Sequence, residues 1–324
     1  MEEEQEIGSY TRPVSLFLSN HAQLPGAPIM HDHRIHRKNL TLLLCIAPAL
    51  LFFALVKLIP SVMGLWFSLT NWNGIQSTYR LIGMENFIEI FTQDTYFWDA
   101  MRFTLTYVVW IVILMNLTAL LLALGIEAVR KGKGLLRTIF YLPNMISMII
   151  GGYMWNFIFT QVVFHMSDAW GWTFLDKSWI GDPQYSFIAI LVVALWGGTG
   201  YLMIIYIAAL QGVPKTLYEA ALVDGAGTIR RFFSVTLPMI RQSLTICLFI
   251  SLNNAFQVFD VVYSLTGGGP GRATQVVALN IYQEAFGRSN RFGYATAKSM
   301  LVFLIILGIT SIQLVAMKRK EQEL

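Results

Sequence analysis

Six stretches of mostly apolar residues alternate with polar segments along the chain: Leu40 to Leu69, Thr104 to Leu124, Ile139 to Phe159, Phe187 to Leu210, Leu244 to Leu265 and Tyr294 to Met317. A helix needs roughly 20 such residues to cross a bilayer. It must also satisfy every backbone N–H and C=O internally, because the hydrocarbon offers no partner. The pattern therefore predicts an all-α polytopic membrane protein with six transmembrane helices over residues 40–317. An N-terminal extension of residues 1–39 precedes them and a tail of residues 318–324 follows.

Composition supports the bilayer as solvent. Hydrophobic residues make up 55% of the 324 positions and charged residues 13%, with a mean hydropathy of +0.56. The charged share is about half that of a soluble domain. The charges that remain are placed unevenly. With the N-terminus on the cytoplasmic side, the inner segments carry 15 basic residues, including Arg130, Lys131, Lys133 and Arg137 before the third stretch and Lys215, Arg230, Arg231 and Arg241 before the fifth. The outer segments carry 6, Arg80, Arg102, Lys177, Arg272, Arg288 and Arg291, while Lys57 and Lys298 fall inside stretches. Such an excess places both termini and the loop of residues 211–238 in the cytoplasm. The net charge of +4 is read as this bias rather than as a nucleic-acid footprint, since the basic residues flank stretches and form no single stripe.

Other chemistry is sparse. Cys45 and Cys247 lie inside apolar stretches and read as packing residues. Residues 1–39 open with Glu2, Glu3 and Glu4, unlike the basic start of a secretory signal. Tyr10 to Leu18 fits a short helix on the membrane surface. His31 and His33 fall on opposite sides of any helix, and no Cys or carboxylate completes a metal set with them and His36. No metal site is expected. The chain also contains no Gly-x4-Gly-Lys-Ser/Thr phosphate loop.

Between the fourth and fifth stretches runs Glu219-Ala220-Ala221-Leu222-Val223-Asp224-Gly225-Ala226, reaching Leu237-Pro238 after a fixed interval. Pro214 suits the first turn of a helix, and good helix formers run from Tyr218 to Val223 until Gly225 permits a left-handed turn. A second helix is expected from Thr228 to Pro238. The two would form a compact knob whose small Ala220 and Ala221 seat closely in a partner's groove. The plainer alternative is a solvated loop.

The Glu-Ala-Ala triplet, the glycine four residues after it and the Leu-Pro resemble the cytoplasmic coupling loop of bacterial ATP-binding-cassette (ABC) importers. Gly83-Met84-Glu85-Asn86-Phe87 is similar to the first outer segment of their sugar permeases. Phe259-Asp260, Leu265-Thr266-Gly267-Gly268-Gly269-Pro270, Tyr282 and Phe286 resemble the maltose, lactose and glycerol-phosphate permease family, in the branch of the larger subunit. Only about 25 residues connect the third and fourth stretches, without the large outer domain of the maltose subunit. The resemblance implies a type I ABC importer permease fold that contributes half of a translocation pathway and no hydrolytic chemistry. ATP and Mg would be bound by partners. The implied assembly holds a second homologous permease, two ATPase subunits and a periplasmic solute-binding protein in the inner membrane. The cargo expected is a carbohydrate, more narrowly an acidic oligosaccharide such as alginate. Glu219, Ala220, Ala221, Asp224 and Gly225 would couple to the ATPase.

Polar groups inside spans tend to face a bundle interior or a wet cavity. The resemblance assigns Gly198, Tyr201 and Ser251 to the sugar-binding region, and proximity adds Asn253, Asn254 and Gln257. Amides and hydroxyls suit sugar hydroxyls, and aromatic faces cover their apolar sides. Interhelical hydrogen bonding is the competing account. Lys298 is read three ways: contact with an acidic solute, pairing with another helix, or snorkelling to the outer interface. Arg272, Arg288 and Arg291 beside it would favour an anionic solute or an acidic binding protein. Two rival classes are weighed. An ion-coupled secondary transporter would use Asp260 or Lys298 and need no Glu-Ala-Ala loop. An intramembrane enzyme lacks any convincing motif here.

Overall fold

The computed structural model describes residues 46–172, 177–287 and 290–321. The expected surface helix of Tyr10 to Leu18, the three histidines, Cys45 and Arg288 lie outside them. The chain divides into two compact units, Met1–Pro60 and Ser61–Leu324. Among the described residues the structure is helical, with a single antiparallel bridge between Thr70 and Leu81.

Among the described residues four helices are long and apolar enough to cross a bilayer: α1 (Ile46–Ser68), α3 (Thr95–Ala128), α6 (Pro183–Gln211) and α12 (Phe292–Glu321). Two further spans are bent pairs, so the count reaches six only when each pair is taken as one. In the first pair, α4 (Lys133–Tyr141) runs through a 3-10 turn at Leu142–Met145 and meets α5 (Met148–Trp170) at 95°. In the second, α8 (Thr228–Met239) meets α9 (Arg241–Phe256) at 72°. Short helices complete the path: α2 (Glu85–Thr92), α7 (Lys215–Val223), α10 (Asp260–Leu265) and α11 (Val277–Phe286).

The spans expected at Ile139 to Phe159 and Leu244 to Leu265 are thus corrected. The first apolar run tightens into a 3-10 turn at Pro143 and turns its corner at Ile146 and Ser147, and the second breaks at Gln257–Phe259. A hydropathy window sums transfer free energy and is blind to direction. Proline is the signal it ignores. Pro238 has a related effect: lacking an N–H, it cannot bond the carbonyl one turn back, and the backbone just before it widens into a π turn at Phe232–Thr236. The turn therefore comes at Ile240, two residues later than expected. At its other end the last helix continues past Met317 to Glu321.

Helix α6 is the central element, with more than half of its most apolar window buried. Against it lies α3, whose Ala119 and Ala123 are fully buried and let the backbones approach. At 34 residues, α3 is about 50 Å long, and it carries a charge cluster at each end. At the C-terminal end Glu127 pairs with Lys133 at 2.8 Å and Arg137 at 2.6 Å, and accepts from Gln211 of α6 at 3.1 Å. At the other end Asp94 caps the helix by accepting from the Phe97 N–H and meets Lys298 of α12 at 2.7 Å.

Candidate functional site

Where α9 ends, the chain leaves the helix for Gln257–Phe259 and re-enters it at Asp260. Irregular backbone at membrane depth is tolerated only when buried in protein or lining a cavity, and a cavity of about 290 Å³ lies there. Helix α6 supplies Gly198 and Tyr201, α9 supplies Ser251 and Asn254, the broken segment supplies Gln257 and Phe259, and the 3-10 turn supplies Asn144. Five of the seven expected path residues are therefore brought together: Gly198, Tyr201, Ser251, Asn254 and Gln257. A Cβ at Gly198 would stand 2.6 Å from Met115 Cε, the movable end of a flexible side chain in the same wall.

Ser251 is the least free of the five. It is buried, accepts from Asn116 Nδ2 at 2.8 Å and donates to the Leu248 carbonyl at 3.1 Å. Asn116 in turn accepts from Tyr206 Oη at 2.8 Å, so one amide ties α3, α6 and α9 together. Asn116 and Tyr206 were missed in the sequence, although a lone amide in an apolar stretch was the same signal that marked Asn253 and Asn254. Tyr201, Asn254, Gln257 and Asp260 remain exposed on the open side of the cavity. Among the described residues Asp260 is the single charged one in its lining, and no described Lys or Arg lines it.

Asn253 and Lys298 stand elsewhere. Asn253 accepts from Gln257 Nε2 and faces a second, mostly apolar cavity of about 580 Å³ beside α12. Lys298 is fully buried and pairs with Asp94 at 2.7 Å and Glu284 at 3.1 Å, while donating to Asn280 Oδ1 at 3.0 Å. Of its three readings, the geometry is that of pairing with other helices. Burial raises the Asp94 carboxyl, but the Lys298 ammonium, the Phe97 N–H and the Tyr294 hydroxyl together hold it below its ordinary range. Arg291 is likewise engaged, by Glu89 at 2.5 Å and Glu284 at 3.9 Å. Burial lowers its pKa, yet these carboxylates raise it further. Arg272 lies over the Tyr96 ring at 4.3 Å. The two described arginines of the expected cluster thus already have partners.

The knob forms largely as its spacing predicts. Pro214, in extended conformation, precedes α7 rather than entering its first turn. Gly225 makes the turn at φ +73°, a region that favours glycine. Tyr218 Oη and Thr236 Oγ1 lie 3.1 Å apart and join the two helices. Glu219, Ala220, Asp224 and Gly225 are exposed and Ala221 is half-buried. Around them Val223 is 89% exposed, Ile229 76% and Phe233 62%. So much bare apolar surface on a polar loop is the mark of an interface.

The broken spans, the cavity at the break and the exposed knob are features that suit a transport permease. Residues 115–321 match the family described as binding-protein-dependent transport system inner membrane component, and the chain belongs to that family. It is a multi-pass inner-membrane permease subunit of an ABC transporter. The "Probable starch degradation products transport system permease protein AmyD" of Thermoanaerobacterium thermosulfurigenes is 38% identical over 283 residues, covering 87% of this chain and 95% of the relative. The "Trehalose/maltose transport system permease protein MalF" of Thermococcus litoralis is 32% identical and covers 82% of this chain and 90% of that one. Among solved structures, a bacterial ABC transporter involved in the import of the acidic polysaccharide alginate has a chain matching with TM-score 0.76 at 25% identity. That match covers 89% of this chain and 98% of the other. A related structure, TM-score 0.74, holds that kind of transporter with an alginate pentasaccharide-bound periplasmic protein.

Proposed function

We propose that the chain forms half of a carbohydrate pathway, closed by a second permease subunit, fed by a periplasmic binding protein and driven by two partner ATPases that bind ATP and Mg. Both termini and the knob lie in the cytoplasm in this reading. One observation carries it: the knob is the direct connection between the two helices that wall the cavity. Tyr201 stands ten residues before Gln211, where α6 ends, and Ser251 ten residues after Arg241, where α9 begins. At 1.5 Å per residue each lever is about 15 Å long. A push on Glu219, Ala220, Ala221, Asp224 and Gly225 therefore reaches both cavity walls through rigid helix.

Neutral oligosaccharide is the cargo this half favours. Its polar lining offers amides and hydroxyls that pair with sugar hydroxyls, and its one charge, Asp260, repels an anion. An acidic oligosaccharide is the second reading, favoured by the likeness to alginate transporters. Uptake into proteoliposomes holding the complete complex separates them, using neutral and acidic oligosaccharides of equal length. Tyr201→Ala and Asn254→Ala are expected to lower kcat/KM for the transported solute about tenfold, the equivalent of one or two lost contacts. Unchanged uptake by both variants in an assembled complex would remove the cavity from the pathway.

A further inference from the structure

Buried aromatic rings of this protein serve packing, as Phe97 and Tyr206 do, both fully enclosed. A second group does not fit that description. Phe259 forms part of the cavity wall. Its ring stacks on Tyr263 at 5.3 Å and meets Tyr282 edge-on at 5.3 Å. Tyr282 contacts Phe286 at 5.5 Å, Phe286 contacts Phe292 at 5.9 Å, and Phe292 contacts Trp72 at 5.1 Å. Six rings thus follow one another without a gap from the cavity to the loop after α1.

The row arises from helical spacing. Phe259 and Tyr263 are four residues apart at the start of α10, and Tyr282 and Phe286 are four apart on α11, so each pair projects from one face. The two faces meet at Phe259, Tyr263 and Tyr282. Yet the rings stay open: Tyr263 is 39% exposed, Tyr282 41% and Phe286 66%. Polar groups accompany them, since Asp260 lines the same cavity as Phe259 and the phenols of Tyr263 and Tyr282 belong to the row itself. A surface meant only for lipid tails has no use for carboxylate and phenol edges. A pyranose, by contrast, presents an apolar face of C–H groups to a ring and hydroxyls to its surroundings.

We infer that this row is a stacking track on which an oligosaccharide slides from the outer end of the subunit into the cavity. The inference rests on the carbohydrate reading above, and it deepens that reading by assigning Tyr263, Tyr282 and Phe286 to the route. Continuity carries it, since the last ring of the row is itself a wall of the cavity. Such stacking is tolerant of sugar identity and gains with each ring engaged, so a longer oligosaccharide depends on the track more than a disaccharide.

The test uses the complete complex in proteoliposomes with Tyr282→Ala, Phe286→Ala, Tyr282→Phe and Tyr282→Leu. Both alanine variants are expected to lower kcat/KM for a longer oligosaccharide about tenfold and for a disaccharide about threefold, mainly through KM. Tyr282→Phe keeps the wild-type values because the ring face is retained. Tyr282→Leu behaves like alanine because apolar volume without a face does not stack. Unchanged uptake in the alanine variants, or full function in Tyr282→Leu, overturns the track. Loss of copurification with the second permease also overturns it and makes these rings a subunit contact. If the wild-type complex takes up no carbohydrate, the cargo reading falls first and the track with it. Wild-type uptake with unaltered variants sinks the track alone.

Discussion

An ammonium enclosed by protein is stable only with compensating charge, and Lys298 receives it from Asp94 and Glu284. The sequence marked Lys298 as needing a counter-charge, because a lysine in an apolar stretch is legible by itself. Its partners were not, since they come from the cap of α3 and from α11, and only folding brings them to α12. The same holds for Asn116, Tyr206 and Ser251. Lys298→Met strands two carboxylates and is expected to destabilise the protein by about 3–5 kcal/mol. Thermal unfolding of the purified subunit measures this. Uptake of acidic and neutral solutes should fall equally; a loss confined to the acidic one would return Lys298 to the pathway. The sign of the pH dependence follows from Asp94. Its folded pKa is depressed below 3.8, so its contribution is present above that value and is lost as pH falls through the folded pKa. The stability gap between wild type and Asp94→Asn should therefore persist at neutral pH and close only in strong acid.

At the scale of elements, apolar length located the spans but not their corners. Helices α3, α6 and α12 are continuous and were found within several residues, except that α3 begins nine residues before its apolar stretch, at Thr95. The stretches Ile139 to Phe159 and Leu244 to Leu265 were read as straight because proline and amide signals inside an apolar run carry little weight in a hydropathy sum. The corner between α4 and α5 is held against α6 by close backbone contact at Gly200. An added Cβ would collide with the Phe140 carbonyl and stand 2.9 Å from Tyr141 Cα. Neither is the yielding end of a side chain. Gly125 of α3 has nothing within 4 Å of its Cβ position. One substitution at two glycines therefore separates packing from propensity. Gly200→Ala should cost about 1–3 kcal/mol by overpacking, whereas Gly125→Ala should be neutral or stabilising by up to about 1 kcal/mol. Apparent melting temperature and monodisperse yield in detergent report both. Equal behaviour of the pair would mean that α4 does not seat on Gly200.

For the whole molecule, the knob was readable in shape, whereas for the cavity most lining residues were named in the sequence but their arrangement was not, for one physical reason. The knob is local: a left-handed glycine, a helix-forming run and a proline act through neighbours in the chain. The cavity joins α6, α9, the break after α9 and the turn before α5, and its shape depends on two bends that length alone conceals. Coupling links the two, and it is testable without knowing the cargo. Glu219 is exposed on α7 amid bare apolar surface and makes no ion pair among the described residues, so a charge reversal there should spare the fold and disturb only a partner. Gly225 holds φ +73°, where a β-branched residue is strained. Gly225→Val is expected to distort the turn at a cost of about 1–3 kcal/mol while leaving the α6 and α9 cores intact. Both Glu219→Lys and Gly225→Val should insert and copurify with the second permease, yet lose solute-stimulated ATP hydrolysis and uptake by more than about tenfold, one broken contact's worth. Gly225→Ala, with a smaller Cβ penalty, should fall between. Because the levers from knob to cavity are continuous helix, binding of solute by the intact complex should survive in both variants even as transport stops. Wild-type stimulation in Glu219→Lys and Gly225→Val would leave the knob an ordinary loop and require another route for the work of ATP.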